Sequence, residues 1–181
     1  MKQGFVKVAS ATPRIRVADP VYNAQVICEQ AKEAAEHGAK IVVFPELCIT
    51  GYTCNDLFLQ ELLLEKAKEA LLTIAEETGQ LETLFLVGLP VDKDGRLYNV
   101  AAVLYRGRIL GMIPKKNIPM YAEFYEGRHF TPGEETVTEY RLGKQVIPFG
   151  SNLLFRCEEL PELILGCELC EDLWVAEPPS T

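Results

Sequence analysis

Residues 41–46 read Ile-Val-Val-Phe-Pro-Glu, four apolar residues closed by a proline and a carboxylate. An unbroken apolar run of this length predicts a strand buried on both faces, the mark of a sheet covered by helices. The strand ends at Pro45, so Glu46 stands at the sheet edge where α/β folds bind their ligands. On the N-terminal side, Ala24, Ile27, Ala31, Ala34 and Ala35 recur at helical spacing from Val21 to Glu36. Asp19 is placed to cap that helix, Pro20 to open it and Gly38 to close it. Phe5, Val6, Val8 and Ala9 predict a first buried strand.

On the C-terminal side, LCITGYTCNDLF (47–58) is a loop punctuated by Gly51. Asn55 or Asp56 can cap a helix from about Leu57 to Thr78, packed through Leu62, Leu63, Ala67, Ala70, Leu71 and Ile74. Strands follow at 83–91, 97–105 and 108–114, joined by a hairpin turn at 92–95 and a tight turn at Arg106-Gly107. The polar, aromatic-rich segment 115–133 is too long for a plain connector. Short strands are expected at 140–142, 146–149, 152–156 and 163–170. The order βαβαββ, without internal repeat, predicts one α/β domain with at least part of its sheet under helices. Leu173 and Trp174 resemble the first turn of a further helix, so the chain reads as a fragment of a longer one.

Composition narrows the functions. Hydrophobic content of 48% and charged content of 24% are those of a globular protein. Twenty-six acids against 18 bases give a net charge of −8, which argues against nucleic-acid binding. The run QVIPFGSNLLF is too short and polar for a bilayer span, and MKQGFVKVAS carries no secretory core. A cytoplasmic protein without membrane partners is expected. The six cysteines lack the dense spacing of a disulfide scaffold. Cys167 and Cys170 form one CxxC, but no second ligand pair accompanies it, so neither a structural zinc nor a redox pair is expected.

Residues 163–174, LILGCELCEDLW, bring an apolar strand to Cys170 and then to Glu171, Asp172 and Trp174. Strand into polar turn is how α/β enzymes present a thiol together with unpaired N–H groups. Taken singly, Glu46 reads as a solvated loop carboxylate, Lys115 as an exposed lysine beside Lys116, and Cys170 as a core cysteine. Together they are complementary groups at three strand ends. A thiol of ordinary pKa, about 8.5, is mostly protonated at neutral pH and needs a base and a cationic neighbour. With His37 and His129 poorly placed, Glu46 is the candidate base, Lys115 the fixed charge and Cys170 the nucleophile. After attack on an amide carbon, Lys115 and the N–H of Glu171 could hold the oxyanion.

The segments PELCITGY, PKKNIPMYAEFYEGRHFTPG and GCELCEDLW resemble the nitrilase (carbon–nitrogen hydrolase) superfamily with its Glu-Lys-Cys triad. Within it, GYTCNDLFLQELLLEKAKEAL and CEDLW look most like the N-terminal glutaminase domains of glutamine-dependent NAD⁺ synthetases. The resemblance runs from about residue 3 to the end. It implies an α-β-β-α sandwich, four-layered on assembly and here truncated at its C-terminal end, with residues 1–181 as the glutaminase domain. It implies Glu46 as general base, Lys115 as oxyanion stabiliser and Cys170 as nucleophile. A second glutamate is implied near the lysine, Glu126 or its rival Glu123. Glutamine contacts would fall on Tyr121 and Glu171, with Tyr52 near the pocket. No cofactor or metal is implied for this domain; ATP, Mg²⁺ and the dinucleotide would belong to a C-terminal synthetase domain, the expected partner, and the sheet implies homo-oligomers. A stand-alone amidase or N-carbamoyl hydrolase is the nearest alternative, and a non-catalytic assembly subunit the next.

Overall fold

The computed structural model describes residues 4–181, and its main sheet is built outward from β2 (Ile41–Val43). β1 (Val8–Ser10) and β3 (Leu84–Lys93) flank β2 in parallel, each joined to it through a helix, α1 (Pro20–Glu36) and α2 (Glu61–Glu77). β3, β4 (Arg96–Tyr105) and β5 (Arg108–Pro114) form an antiparallel meander. β6 (Thr138–Leu142) and β7 (Gln145–Phe149) complete the order β1-β2-β3-β4-β5-β7-β6, with β7 parallel to β5. β8 (Phe155–Arg156) and β9 (Ile164–Leu165) make a separate two-stranded ribbon. Both meander turns carry two successive residues at positive φ, Asp94-Gly95 (53° and 73°) and Arg106-Gly107 (47° and 76°). That twist matches the strands it joins.

The period of two sorts the strands' side chains onto two faces. Val42, Phe85, Val87, Leu89, Val100, Ala102 and Met112 form one core with Ala24, Ile27, Ala31, Ala67, Leu71 and Ile74 of the helices. Full burial of each large aliphatic there contributes about 1.5–3 kcal/mol. On the opposite face, Ala101, Val103 and Ile113 meet Leu153, Phe155, Cys167 and Leu169. That cover reaches β3, β4 and β5 but not β2, so Val43 remains 45% exposed. The expectation of a strand buried on both faces is therefore corrected to one buried face. β1 is likewise not a buried strand: it lies at the sheet edge, with Phe5 and Val8 exposed.

At α1 the Asp19 carboxylate accepts the Tyr22 N–H at 3.1 Å, Pro20 opens the helix, and Gly38 follows its end at φ +82°. α2 begins later than its apolar pattern suggested. Asn55–Leu59 is a separate 3₁₀ turn, and Gln60 precedes α2 without a side-chain cap. Asp56 is unavailable as a cap because its carboxylate accepts from Arg128 at 2.8 and 3.0 Å and meets His129 at 3.0 Å. Among the described residues no helix is long and apolar enough to cross a membrane.

Gly88 of β3 shows how tightly the sheet holds the segment after β2. A Cβ there would lie 2.3 Å from Leu47 N, 2.8 Å from Pro45 O and 2.9 Å from the Glu46 carbonyl carbon. These are backbone atoms that cannot turn aside. Gly88→Ala is expected to destabilise the fold by about 1–3 kcal/mol through overpacking and to displace Glu46. Thermal melting checks this; an unaltered melting temperature would contradict the close approach.

Candidate active site

Glu46, Lys115 and Glu126 come together from three chain segments. Pro45–Gly51 is a tight turn in which Gly51 N–H donates to Leu47 O at 2.7 Å, with Leu47 at φ +53° and fully buried. Lys115 follows β5, its N–H donating to Asn99 O of β4 at 2.8 Å. Glu126 opens the 3₁₀ turn Glu126–Arg128. The ammonium of Lys115 donates to Glu46 Oε1 at 2.8 Å and to Glu126 Oε1 at 2.7 Å. The lysine is 0% exposed and Glu126 is 5% exposed. Burial alone would lower the Lys115 pKa, but hydrogen bonds to Glu126 and Glu46 outweigh it and hold the group above its ordinary range. Glu123 is exposed, outside this cluster, so the accessory glutamate of the geometry is Glu126.

Cys170 is presented differently from the sequence expectation. It does not end a strand: β9 stops at Leu165, because the ribbon pairs only Phe155 with Leu165 and Arg156 with Ile164. Cys170 instead opens the 3₁₀ turn Cys170–Leu173 with φ +49°, strained for a residue with a side chain. Burial raises its thiol pKa, the charges of Glu46 and Glu126 add to the rise, and Lys115 and the Glu171 N–H pull it back. The net direction is upward, so the thiol is protonated at neutral pH and its proton needs an acceptor. Cys167 packs beneath the turn against the β4–β5 face, where burial pushes its thiol up to about 12. All six cysteines are free, and among the described residues no three His, Cys, Asp or Glu side chains gather as a metal site.

The tyrosines each meet a carboxylate. Tyr52 OH donates to Glu126 Oε1 at 2.8 Å, and burial first, then that bond, raises its pKa. Tyr121 OH donates to Glu171 Oε2 at 2.7 Å on an exposed rim. Two residues that the sequence left unassigned complete the site. Asn99, inside the apolar run of β4, donates from Nδ2 to Glu46 Oε1 at 2.6 Å and to Glu126 Oε2 at 3.3 Å. Its one signal was a polar residue in a buried strand. Asp172, 2% exposed, accepts from Asn117 N at 2.7 Å, Asn117 Nδ2 at 2.9 Å and Leu169 N at 3.2 Å. It thereby ties the turn of Cys170 to the chain just after Lys115.

Residues 7–179 match the family model described as carbon-nitrogen hydrolase. The chain belongs to the carbon–nitrogen hydrolase family. Among curated relatives, it is 40% identical over 179 residues to a glutamine-dependent NAD(+) synthetase of Mycobacterium tuberculosis, covering 99% of this chain and 26% of that protein. It is 32% identical over 180 residues to the glutamine-dependent NAD(+) synthetase of Thermotoga maritima, covering 99% of this chain and 27% of the relative. The chain thus spans about a quarter of the length of these relatives. A solved glutamine-dependent NAD(+) synthetase from Cytophaga hutchinsonii superposes with TM-score 0.84 at 29% identity, over 92% of this chain and 28% of that one. An amidase from Nesterenkonia sp. shares the fold, with TM-score 0.60 at 24% identity, over 79% of this chain and 54% of that one.

In this carbon–nitrogen hydrolase, removal of the Asp172 carboxylate tests the link between turn and site. Asp172→Ala leaves buried N–H donors unpaired, at a cost of about 1–3 kcal/mol. Its expected signature is a lowered melting temperature together with slower alkylation of Cys170. Unchanged alkylation would show that the turn holds its place without Asp172.

Proposed function

We propose that this chain hydrolyses the side-chain amide of L-glutamine to glutamate and ammonia. The observation that carries the reading is one buried ammonium held between two carboxylates beside an exposed, strained cysteine. Glu46 takes the proton of Cys170 as sulfur attacks the amide carbon, and the carbonyl oxygen becomes an oxyanion facing Lys115 and the Glu171 N–H. Collapse breaks the carbon–nitrogen bond, and Glu46 returns the proton to the departing ammonia. A γ-glutamyl thioester then remains on Cys170. Glu46 next deprotonates a water that attacks the thioester, releasing glutamate and the thiol. Glu126 and Tyr52 hold the cluster, and the Tyr121–Glu171 pair would receive the substrate's α-ammonium.

Glutamine is favoured over other amides because the 40%-identical relative is a glutamine-dependent NAD(+) synthetase. The same relative supports residues 1–181 as the glutaminase domain of a longer chain. Its ammonia would then pass to a C-terminal synthetase domain that converts nicotinic acid adenine dinucleotide to NAD⁺, and ATP, Mg²⁺ and the dinucleotide would be that domain's ligands. Assembly into homo-oligomers in the cytoplasm belongs to the same reading, supported by the open sheet face at Val8 and Val43. A screen of ammonia release from L-glutamine, simple aliphatic amides and N-carbamoyl compounds tests it. Release from glutamine is expected to dominate; release only from the other compounds would replace it with a free-standing amidase.

A further inference from the structure

Asn99 occupies a singular position in this site. It lies fully buried in the middle of β4, opposite Pro90 of β3. Its main-chain oxygen accepts the N–H of Lys115, while its side-chain amide reaches both carboxylates that the lysine bridges. Both the Lys115 ammonium and the Asn99 amide bond the same Glu46 atom, Oε1, at 2.8 and 2.6 Å. Two donors on one oxygen stop the carboxylate from turning about its terminal torsion. Oε2 accepts from neither.

We propose that Asn99 is a positioning residue for the base, clamping Glu46 through Oε1 and Glu126 through Oε2 so that the second oxygen of Glu46 stays free to receive the thiol proton. The inference rests on the triad reading above. The amide orientation supports it. Asn99 Oδ1 is buried and has no hydrogen-bond partner among the described residues. Turning the amide over would set that oxygen against two carboxylates, so the residue leaves its own carbonyl unpaired in order to donate to both. Charge gives a reason. Glu46 and Glu126 outnumber Lys115 by one, and the neutral donors Asn99 and Tyr52 spread that excess without adding a second buried cation. The titratable groups around Glu46 are Lys115, Glu126, Cys170 and Tyr52.

The test is Cys170 alkylation by iodoacetamide across pH, beside glutamine kinetics, in Asn99→Leu, Asn99→Asp and Asn99→Ser. Cys170 alkylates as the thiolate, and loss of a donor to the two carboxylates leaves more of the Glu46 and Glu126 charge to oppose its ionisation. The acid-side midpoint of alkylation is expected to rise by about one unit in Asn99→Leu and Asn99→Ser, and further in Asn99→Asp, which adds a third carboxylate. The kcat for glutamine should fall by about 10–100-fold, as misplacement of a reacting group does, with KM little changed. A midpoint that stays put in a variant with the unaltered melting curve, or a KM effect without a kcat effect, would overturn the proposal. In the unaltered protein, the Asn99 side-chain amide resonances should titrate with the alkylation midpoint; constancy across that range would equally overturn it. Should the unaltered protein release no ammonia from glutamine, the substrate reading fails alone, because the alkylation midpoint reports the clamp without any substrate.

Discussion

Cys170→Ala is expected to lower glutamine hydrolysis by about 10⁴-fold or more, the scale seen when a catalytic nucleophile is deleted from a unit whose members act together. The fold should survive, because Cys170 is exposed on a short turn and its sulfur makes no structural bond among those described. The turn is held instead by Asp172 on Asn117 and Leu169. Circular dichroism and melting should therefore match the unaltered protein. In a longer chain that carries a synthetase domain, ammonia-dependent NAD⁺ formation should persist while glutamine-dependent formation disappears. Equal loss of both would refute the assignment of Cys170 to the amide step. Cys167→Ala is the matched control: that thiol packs against the β4–β5 face, so its loss should affect stability and not chemistry.

Lys115→Met is expected to damage both chemistry and fold, and the two losses separate by measurement. In the proposed reaction the ammonium would stabilise the developing oxyanion, and loss of one such donor costs about 10²–10³-fold in kcat. Structurally, Lys115 is the cation shared by Glu46 and Glu126, whose side chains are 19% and 4% exposed. Removing one partner of a buried charge pair costs about 3–5 kcal/mol, since the remaining charge loses its compensation. Here two carboxylates would face each other, and protonation of one would relieve part of the strain. Because the Lys115 pKa lies above its ordinary 10.5, its stabilising contribution is complete below that value and fades only as pH rises through the higher folded-state value. The unaltered protein should therefore lose stability on the alkaline side above about pH 10.5, and Lys115→Met should lack this step. Equal alkaline sensitivity in both proteins would contradict the buried pair.

The sheet-and-helix plan was readable because periodicity reports which face is buried: Ala24, Ile27 and Ala31 at helical spacing, and apolar runs at 41–44 and 84–91. The exposure of Val8 and Val43 was not, since an apolar run says that a strand suits burial and not whether another layer reaches it. The late start of α2 escaped for a chemical reason: Asp56, a good cap by type, is bound to Arg128 and His129 seventy residues away. Glu46 and Lys115 stood out as candidates from their positions after strands, and Cys170 from motif resemblance, the strand expected to run up to it being absent. Asn99 and Asp172 were not, because their roles depend on long-range hydrogen bonds to Glu46 and Asn117 that no local pattern announces. The strand drawn up to Cys170 failed because LILGC is apolar, yet its ladder partner β8 is only two residues long.

The convergence of sulfur, carboxylate and ammonium on one carbonyl is tested most directly by covalent labelling with diazo-oxo-norleucine, an electrophilic glutamine analogue, followed by peptide mass mapping. One equivalent of label on Cys170 is expected, suppressed by L-glutamine and strongly slowed in Glu46→Gln and Lys115→Met. Label on Cys157 or Cys167 instead, or labelling of Cys170 at the same rate in all three proteins, would contradict a thiol activated by Glu46 and Lys115.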